Sequence, residues 1–243
     1  MINILRKIIK FFKIAKKPYL FAKLIKYKLA ASVEHEFLFK KYSINTVIDI
    51  GANIGQFALI ANYYNRKCKI YSFEPLSEPF QKFNKAFSKN KNIKSFQVGI
   101  SPLKGKKKIN VSKKTDSSSF LKISSKQTKY FKGTNLLREE IVNCGPLSQF
   151  IDFNDVTGVT LMKIDVQGYE LDVLKSSQKF LEKINYVYCE VSFEELYEQQ
   201  YLANEIIVFL KENNFDIKDI RCLVYKENRL IQCDMLFENI NLY

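Results

Sequence analysis

From Thr46 onward, short runs of β-branched and aromatic residues alternate with stretches whose apolar positions recur at helical spacing, the pattern of βαβ units around a parallel sheet. Seven runs read as strands: Thr46 to Ile50, Cys68 to Phe73, Ile93 to Val98, Val159 to Asp165, Tyr186 to Val191, Phe215 to Tyr225 and Leu230 to Glu238. Helical segments or a long insertion separate the first five. Only Lys226-Glu227-Asn228-Arg229 separates the last two, a connection so short that it permits only an antiparallel hairpin. The predicted fold class is therefore α/β, a doubly wound sheet that is mostly parallel and ends in a C-terminal antiparallel hairpin.

The segment before Thr46 has a different texture. Ile4, Leu5, Ile8, Phe11, Phe12 and Ala15 fall at helical spacing, with Arg6, Lys7, Lys10, Lys13 and Lys17 largely on the other side. This predicts a basic amphipathic helix from Met1 to Lys17, ended near Pro18. Helices over Tyr19 to Ala31 and Val33 to Tyr42 complete an N-terminal helical cap, residues 1–44, on a main domain of residues 45–243. Between the third and fourth strands lie about 60 residues, too many for an ordinary loop in a compact domain. Residues 101–145 form a Lys/Ser-rich insertion in which Lys106 to Val111 reads as a strand, followed by the polar run Thr115-Asp116-Ser117-Ser118-Ser119.

Composition sharpens this picture in three places. The chain has 243 residues, 47% hydrophobic and 14% aromatic, enough to bury one sizeable core with an appendage. Its net charge of +14 is uneven: residues 1–33 hold nine Lys or Arg and no acid, which leaves +5 for the rest. Residues 101–133 hold ten Lys against the single acid Asp116. Lysine, asparagine and isoleucine are abundant throughout, so individual lysines carry little information, and no RNA-reading motif accompanies them. Nucleic acid is not the expected partner. The first helix is expected to pack its apolar face on the core, the alternative being peripheral contact of residues 1–17 with an anionic membrane. Five cysteines without a CxxC pair and one histidine give no zinc-like spacing, so no metal site is predicted and a reducing compartment is expected. Apolar runs fall far short of the roughly 20 residues that span a bilayer. No signal-peptide core precedes them, and the expected location is cytoplasmic, with the membrane surface as the alternative.

In a doubly wound sheet, ligands bind at the carboxyl ends of the strands, where the strand order reverses. Gly51 and Gly55 directly follow the first strand and Gln56 opens a helix, giving Asp-x-Gly-x-x-x-Gly from Asp49 to Gly55. This is not the G-x-G-x-x-G turn that seats a dinucleotide pyrophosphate. It suits a nucleoside cofactor without phosphate, S-adenosylmethionine, whose ammonium would find a counter-charge in Asp49. Glu74, ending the second strand in Ser72-Phe73-Glu74-Pro75, is the expected bidentate acceptor for the ribose diol. Asn53 and Gly99 complete the expected cofactor set of Asp49, Gly51, Asn53, Gly55, Gln56, Glu74 and Gly99.

These motifs carry a family resemblance. Val47 to Gln56, Ser72 to Pro75, Leu161 to Leu174 with its Lys-Ile-Asp-Val-Gln-Gly-Tyr-Glu core, and Glu190-Val191-Ser192-Phe193-Glu194-Glu195-Leu196-Tyr197 make the chain similar to FkbM-type S-adenosylmethionine-dependent methyltransferases across roughly residues 45 to 238. Asp116-Ser117-Ser118-Ser119 resembles the family's serine-rich segment, and Gln232 to Phe237 its last strand. The resemblance implies a Rossmann-like seven-stranded methyltransferase sheet and O-methylation of a sugar, glycan or other small hydroxylated acceptor. One departure is visible: Leu147 is followed by Ser148, where the family commonly carries an acid.

Transfer from a sulfonium is an in-line displacement, and an alcohol acceptor must also lose a proton. Asp165, at the end of the fourth strand before the Gly168 turn, and Glu190, on the fifth, are the expected catalytic acids; Asp165 with Glu190 could also hold a divalent ion. Glu170 is a further catalytic candidate that could equally serve the helix dipole from the first turn of the next helix. Ser117, Ser118 and Ser119 are expected to contact substrate. His35, between Glu34 and Glu36, is read as a surface or packing residue, with a role as base the lesser alternative. The rival functions are an RNA methyltransferase acting through residues 101–133 and a non-catalytic protein held on membrane by the basic helix.

Overall fold

A computed structural model describes residues 2–242. Met1 and the side chains of Ile4 and Arg6, which the amphipathic pattern included, lie outside what is described. The strands are β1 (Thr46–Ile50), β2 (Lys69–Phe73), β3 (Ile93–Phe96), β4 (Gly99–Ile100), β5 (Gly105–Ser112), β6 (Leu136–Gly145), β7 (Thr160–Ile164), β8 (Tyr186–Ser192), β9 (Phe215–Lys226) and β10 (Arg229–Asn239). The helices are α1 (Ile2–Ala15), α2 (Pro18–Tyr27), α3 (Glu36–Lys41), α4 (Gln56–Tyr64), α5 (Ser77–Phe87), α6 (Ser125–Tyr130), α7 (Glu170–Ser176), α8 (Gln178–Leu181) and α9 (Ala203–Glu212).

Seven strands form the main sheet in the order β3-β2-β1-β7-β8-β10-β9. The first five are parallel, and β10 runs antiparallel to both β8 and β9, as the short turn after Lys226 required. The order in which successive strands are added reverses between β1 and β7, which remain parallel, and this switch point opens the ligand crevice at their carboxyl ends. Side chains alternate between faces, as the strand period demands. Val47, Ile70 and Leu161 pack with α4, α5 and the cap, whereas Ile48, Tyr71 and Met162 pack with α7, α8 and α9.

The insertion has its own sheet, ordered β4-β6-β5, so its length reflects a second layer. β6 was not legible because Leu136, Leu137 and Ile141 are exposed on a strand rich in charge. Two cap boundaries also differ from expectation. Lys28 adopts a left-handed conformation (φ 53°) and closes α2 four residues before Ala31, while Val33–His35 is a 3-10 turn leading into α3.

The cap is part of the core: Leu20, Leu29, Val33 and Leu38 are buried with Phe57 and Leu59 of α4. Ion pairs reinforce the contact, with Lys10 Nζ 2.9 Å from Glu34 Oε1 and Lys17 paired with Glu36. α1 departs from the expectation of packing its apolar face inward. Among the described side chains of this helix only Ile14 is buried, while Leu5, Ile8, Ile9, Phe11 and Phe12 are each 46–59% exposed. Among the described residues, no helix is long and apolar enough to cross a membrane, and the five cysteines are free.

Leu20→Ala should lower unfolding free energy by about 2–5 kcal/mol in a single denaturant transition, the usual result of emptying a fully buried leucine site. A loss below about 1 kcal/mol would contradict a cap integrated into the core.

Candidate active site

The turn after β1 is built from backbone constraints. Gly51 sits at φ +79°, and a Cβ there would lie 1.9 Å from the carbonyl oxygen of Asp165, so only glycine fits. Gly55, at φ +95°, lies against Phe83 and Phe87, where a Cβ would come within 2.8 Å and 2.6 Å. It shapes the turn from below without lining the crevice. The Asn53 amide donates to Glu74 Oε2 at 2.9 Å and the Leu76 amide to Oε1 at 2.9 Å, fixing the carboxylate at the end of β2. Burial pushes the Glu74 carboxyl up to about 7, against the pull of those amides. Gly51, Asn53, Gln56, Glu74 and Gly99 line a cavity of about 310 Å³.

Asp49 does not line that cavity. It is fully buried, with Oδ1 3.4 Å from the Lys163 ammonium and its carboxyl raised by burial, so the direct role beside a ligand ammonium is not what the geometry offers. Lys163 also donates to the Gly51 carbonyl at 2.8 Å and lies 3.8 Å from Asp165 Oδ2. Burial alone would lower this ammonium, but Asp49 and Asp165 outweigh it and keep it charged. The residue's functional weight was hidden in the sequence because a lysine inside an apolar strand has no visible partner.

Asp165 follows β7 and faces both the main cavity and a second one of about 270 Å³. Gln167, held at φ +58°, donates from Nε2 to Asp165 Oδ1 at 2.8 Å and to Glu190 Oε2 at 2.9 Å. The Tyr197 hydroxyl donates to Gln167 Oε1 at 2.8 Å, which fixes the amide orientation. Glu190 lines only the second cavity, and burial together with Asp165 pushes its carboxyl well above the usual range. Glu170 faces neither cavity. Its Oε1 accepts from the amides of Val166 at 3.0 Å and Gly168 at 3.1 Å, so this acid braces the turn instead of meeting substrate. Burial pushes it up to about 7.

The serine segment divides. Ser119 is buried, donates to the Gln167 carbonyl at 2.7 Å and accepts from the Leu121 amide at 3.0 Å, tying the insertion to the turn after β7. Ser118 lines the main cavity while accepting from the Ser112 amide at 3.0 Å. Ser117 does not line it, because its hydroxyl turns to Asp116 Oδ1 at 3.4 Å. Thr115 and Asp116 do, although sequence reading did not select them as contacts. The departure at Ser148 costs the cavity nothing, since that residue is exposed on a 3-10 turn outside it.

His35 is neither a surface residue nor simple packing. It lines both cavities, with Nδ1 3.1 Å from the Tyr188 hydroxyl. With Cys222 and Asp234 it forms a group whose potential donor atoms lie within 4.8 Å of one another, which positions so far apart in sequence could not reveal.

The cavity fits S-adenosylmethionine in charge and shape. Four acids, Glu34, Glu74, Asp116 and Asp165, outnumber the two lysines Lys10 and Lys163 in its lining, a balance suited to a sulfonium, and Leu76, Val98 and Ile100 give an apolar wall suited to a purine.

The comparisons with known proteins agree with this geometry. A family model described as Methyltransferase FkbM domain matches residues 49–217. The 2-O-methyltransferase NoeI of Sinorhizobium fredii is 24% identical over 202 residues, covering 81% of this chain and 80% of that protein. Among solved structures, TehB from Haemophilus influenzae superposes with a TM-score of 0.50 at 12% identity, over 89% of this chain and 65% of that chain, so this chain spans slightly less than two thirds of TehB. SMU.1697c from Streptococcus mutans, in complex with SAH, is similar with a TM-score of 0.46 at 13% identity, over 86% of this chain and 96% of that one. A Rossmann-like sheet, a glycine turn with its strand-end glutamate, and a family match over most of the chain place this protein in the FkbM methyltransferase family.

Proposed function

We propose that the protein transfers the methyl group of S-adenosylmethionine to a hydroxyl of a sugar, glycan or other small hydroxylated acceptor. The observation that carries this reading is a single cavity with Glu74 and the glycine turn at one part of its lining and Asp165 at another, sharing Glu34, His35, Lys163 and Asp165 with a second acid-lined cavity suited to the acceptor. The similarity to a protein named a 2-O-methyltransferase supports the choice of oxygen.

The protein's contribution is mainly positioning, because an in-line displacement gains most from holding the acceptor oxygen against the methyl carbon. Asp165 Oδ1 is held by Gln167, which leaves the carboxylate free to orient an acceptor hydroxyl. Glu190, held on the proton-bearing side of its equilibrium by burial, is suited to donate a hydrogen bond to a second oxygen of the acceptor. The Gln167 amide already bridges Asp165 and Glu190, filling the place of a shared divalent ion, so the proposal requires no metal.

The RNA alternative is weakened by what the insertion lysines touch. Lys108, Lys122, Lys126 and Lys129 pair with Glu139, Glu198, Glu194 and Glu227, and Lys107 donates to the Tyr169 hydroxyl at 2.6 Å. By contrast, the exposed apolar residues of α1, flanked by lysines, favour peripheral contact with an anionic bilayer.

Asp165→Asn should cut methyl transfer to a pool of mono- and oligosaccharides by about 100-fold or more while S-adenosylmethionine affinity is unchanged. Full turnover would remove Asp165 from the site. Glu170→Gln should keep activity, since an amide oxygen can accept the same two bonds, and should change the pH profile of stability. A carboxyl raised to about 7 makes folding less favourable as pH climbs from the unfolded-state value through 7, so the variant should lose that decline. A lost activity with unchanged pH dependence would return Glu170 to catalysis.

Glu74→Gln should weaken S-adenosylmethionine binding by about 10- to 100-fold, the cost of losing charge-assisted hydrogen bonds. In the wild type, affinity should rise with pH through about 7 as the carboxyl ionises, and the variant should flatten that rise. A wild-type affinity independent of pH across that range would contradict the ribose role.

Phe11→Ser with Phe12→Ser should abolish co-sedimentation with vesicles containing phosphatidylglycerol without changing the unfolding midpoint. Unaltered sedimentation of the double variant would end the membrane proposal.

A further inference from the structure

The structure assigns His35 as the general base of methyl transfer, oriented by a hydrogen-bond chain through Tyr188 and Asp234, an assignment that rests on the hydroxyl-methylation reading above. The only histidine in the chain sits at the end of the 3-10 turn Val33–His35, where the cap meets the body, on the wall shared by the two cavities. Its ring is held by Phe57, with centroids 5.7 Å apart, and by the edge of Tyr188 at 5.3 Å.

The hydrogen-bond directions follow from which groups can donate. A carboxylate only accepts, so the Tyr188 hydroxyl, 2.8 Å from Asp234 Oδ2, spends its proton on Asp234. The phenolic oxygen can then only accept from His35 Nδ1, at 3.1 Å, which places the imidazole proton on Nδ1. Nε2 is left with a lone pair, the tautomer a base needs. Burial lowers the affinity of the ring for a second proton, Asp234 and Glu34 raise it, and Lys163 and Lys10 oppose them, so the ring rests neutral and ready to accept.

In the reaction, the acceptor O–H proton passes to His35 Nε2 as the oxygen–methyl bond forms. The carbon–sulfur bond breaks, and its electron pair stays on sulfur, converting the sulfonium to a neutral thioether. The new imidazolium is stabilised by Asp234 through the Tyr188 hydroxyl and by Glu34, and it releases its proton to solvent after product leaves. Tyr188 and Asp234 are thus positioning residues, since they act through His35. The nearness of Cys222 raises metal ligation as a rival for the same side chains. The Tyr188 hydroxyl argues against it, because its hydrogen bonds to Nδ1 and to Asp234 Oδ2 already use the atoms a shared cation would need.

A single histidine makes the tautomer directly readable by nitrogen NMR of protein labelled with ¹⁵N-histidine. Near neutral pH, the wild type should show a neutral ring protonated on Nδ1, and Asp234→Asn and Tyr188→Phe should each shift it toward the Nε2-protonated form. In the saccharide-pool assay, His35→Ala should lose about 100-fold or more of the methyl transfer with unchanged S-adenosylmethionine affinity. A wild-type ring protonated on Nε2, or full turnover by His35→Ala, would overturn the assignment. So would calorimetric zinc binding by the wild type that His35→Ala abolishes. No transfer by the wild type to any hydroxyl would instead overturn the underlying hydroxyl reading, which the nitrogen spectra do not depend on.

Discussion

The buried ammonium of Lys163 holds the two halves of the site in register. It reaches from β7 to the Gly51 carbonyl after β1, with Asp49 on one side and Asp165 on the other. An unpaired charge at that depth would cost several kcal/mol, so each partner is required by the other. The glycine turn and the turn after β7 are thereby fixed edge to edge, close enough that a Cβ at Gly51 would collide with the Asp165 carbonyl. The proposed cofactor end and the proposed acceptor end are consequently joined at the switch point of the sheet.

Around that switch point the crevice is finished by segments from outside the sheet. The cap contributes Lys10, Glu34 and His35, and the insertion contributes Thr115, Asp116 and Ser118. Ser119 anchors the insertion to the Gln167 carbonyl, and Tyr197 anchors the Gln167 side chain, so the turn is tied from both sides. Lys107, over the ring of Tyr169 at 4.0 Å, secures the insertion again where Phe120 packs beneath Gly99. The common sheet sets the cofactor end, and these additions shape the acceptor end.

The parts legible in the sequence are those with a local signature. The β-branched and aromatic strand runs, the hairpin at Lys226 to Arg229 and the Asp49 to Gly55 turn are written in consecutive residues. The parts that were not legible depend on distant partners. Asp49 looked like a ligand's counter-charge because Lys163 lies more than a hundred positions away in sequence, and Glu170 looked catalytic because the amides it binds are backbone groups that every residue carries. His35 looked ordinary for the same reason, the partners in its hydrogen-bond chain being on β8 and β10. The exposure of α1 was hidden because an amphipathic pattern reports that a face is apolar without saying what covers it.

The central claim is that the crevice beside Gly51 and Glu74 was built for S-adenosylmethionine, a nucleoside bearing a sulfonium and no phosphate. Titration calorimetry of the purified chain with S-adenosylmethionine and, separately, with NAD tests this most directly. Saturable one-to-one binding of S-adenosylmethionine with no heat from NAD is the predicted result. Binding of NAD with no binding of S-adenosylmethionine would contradict it.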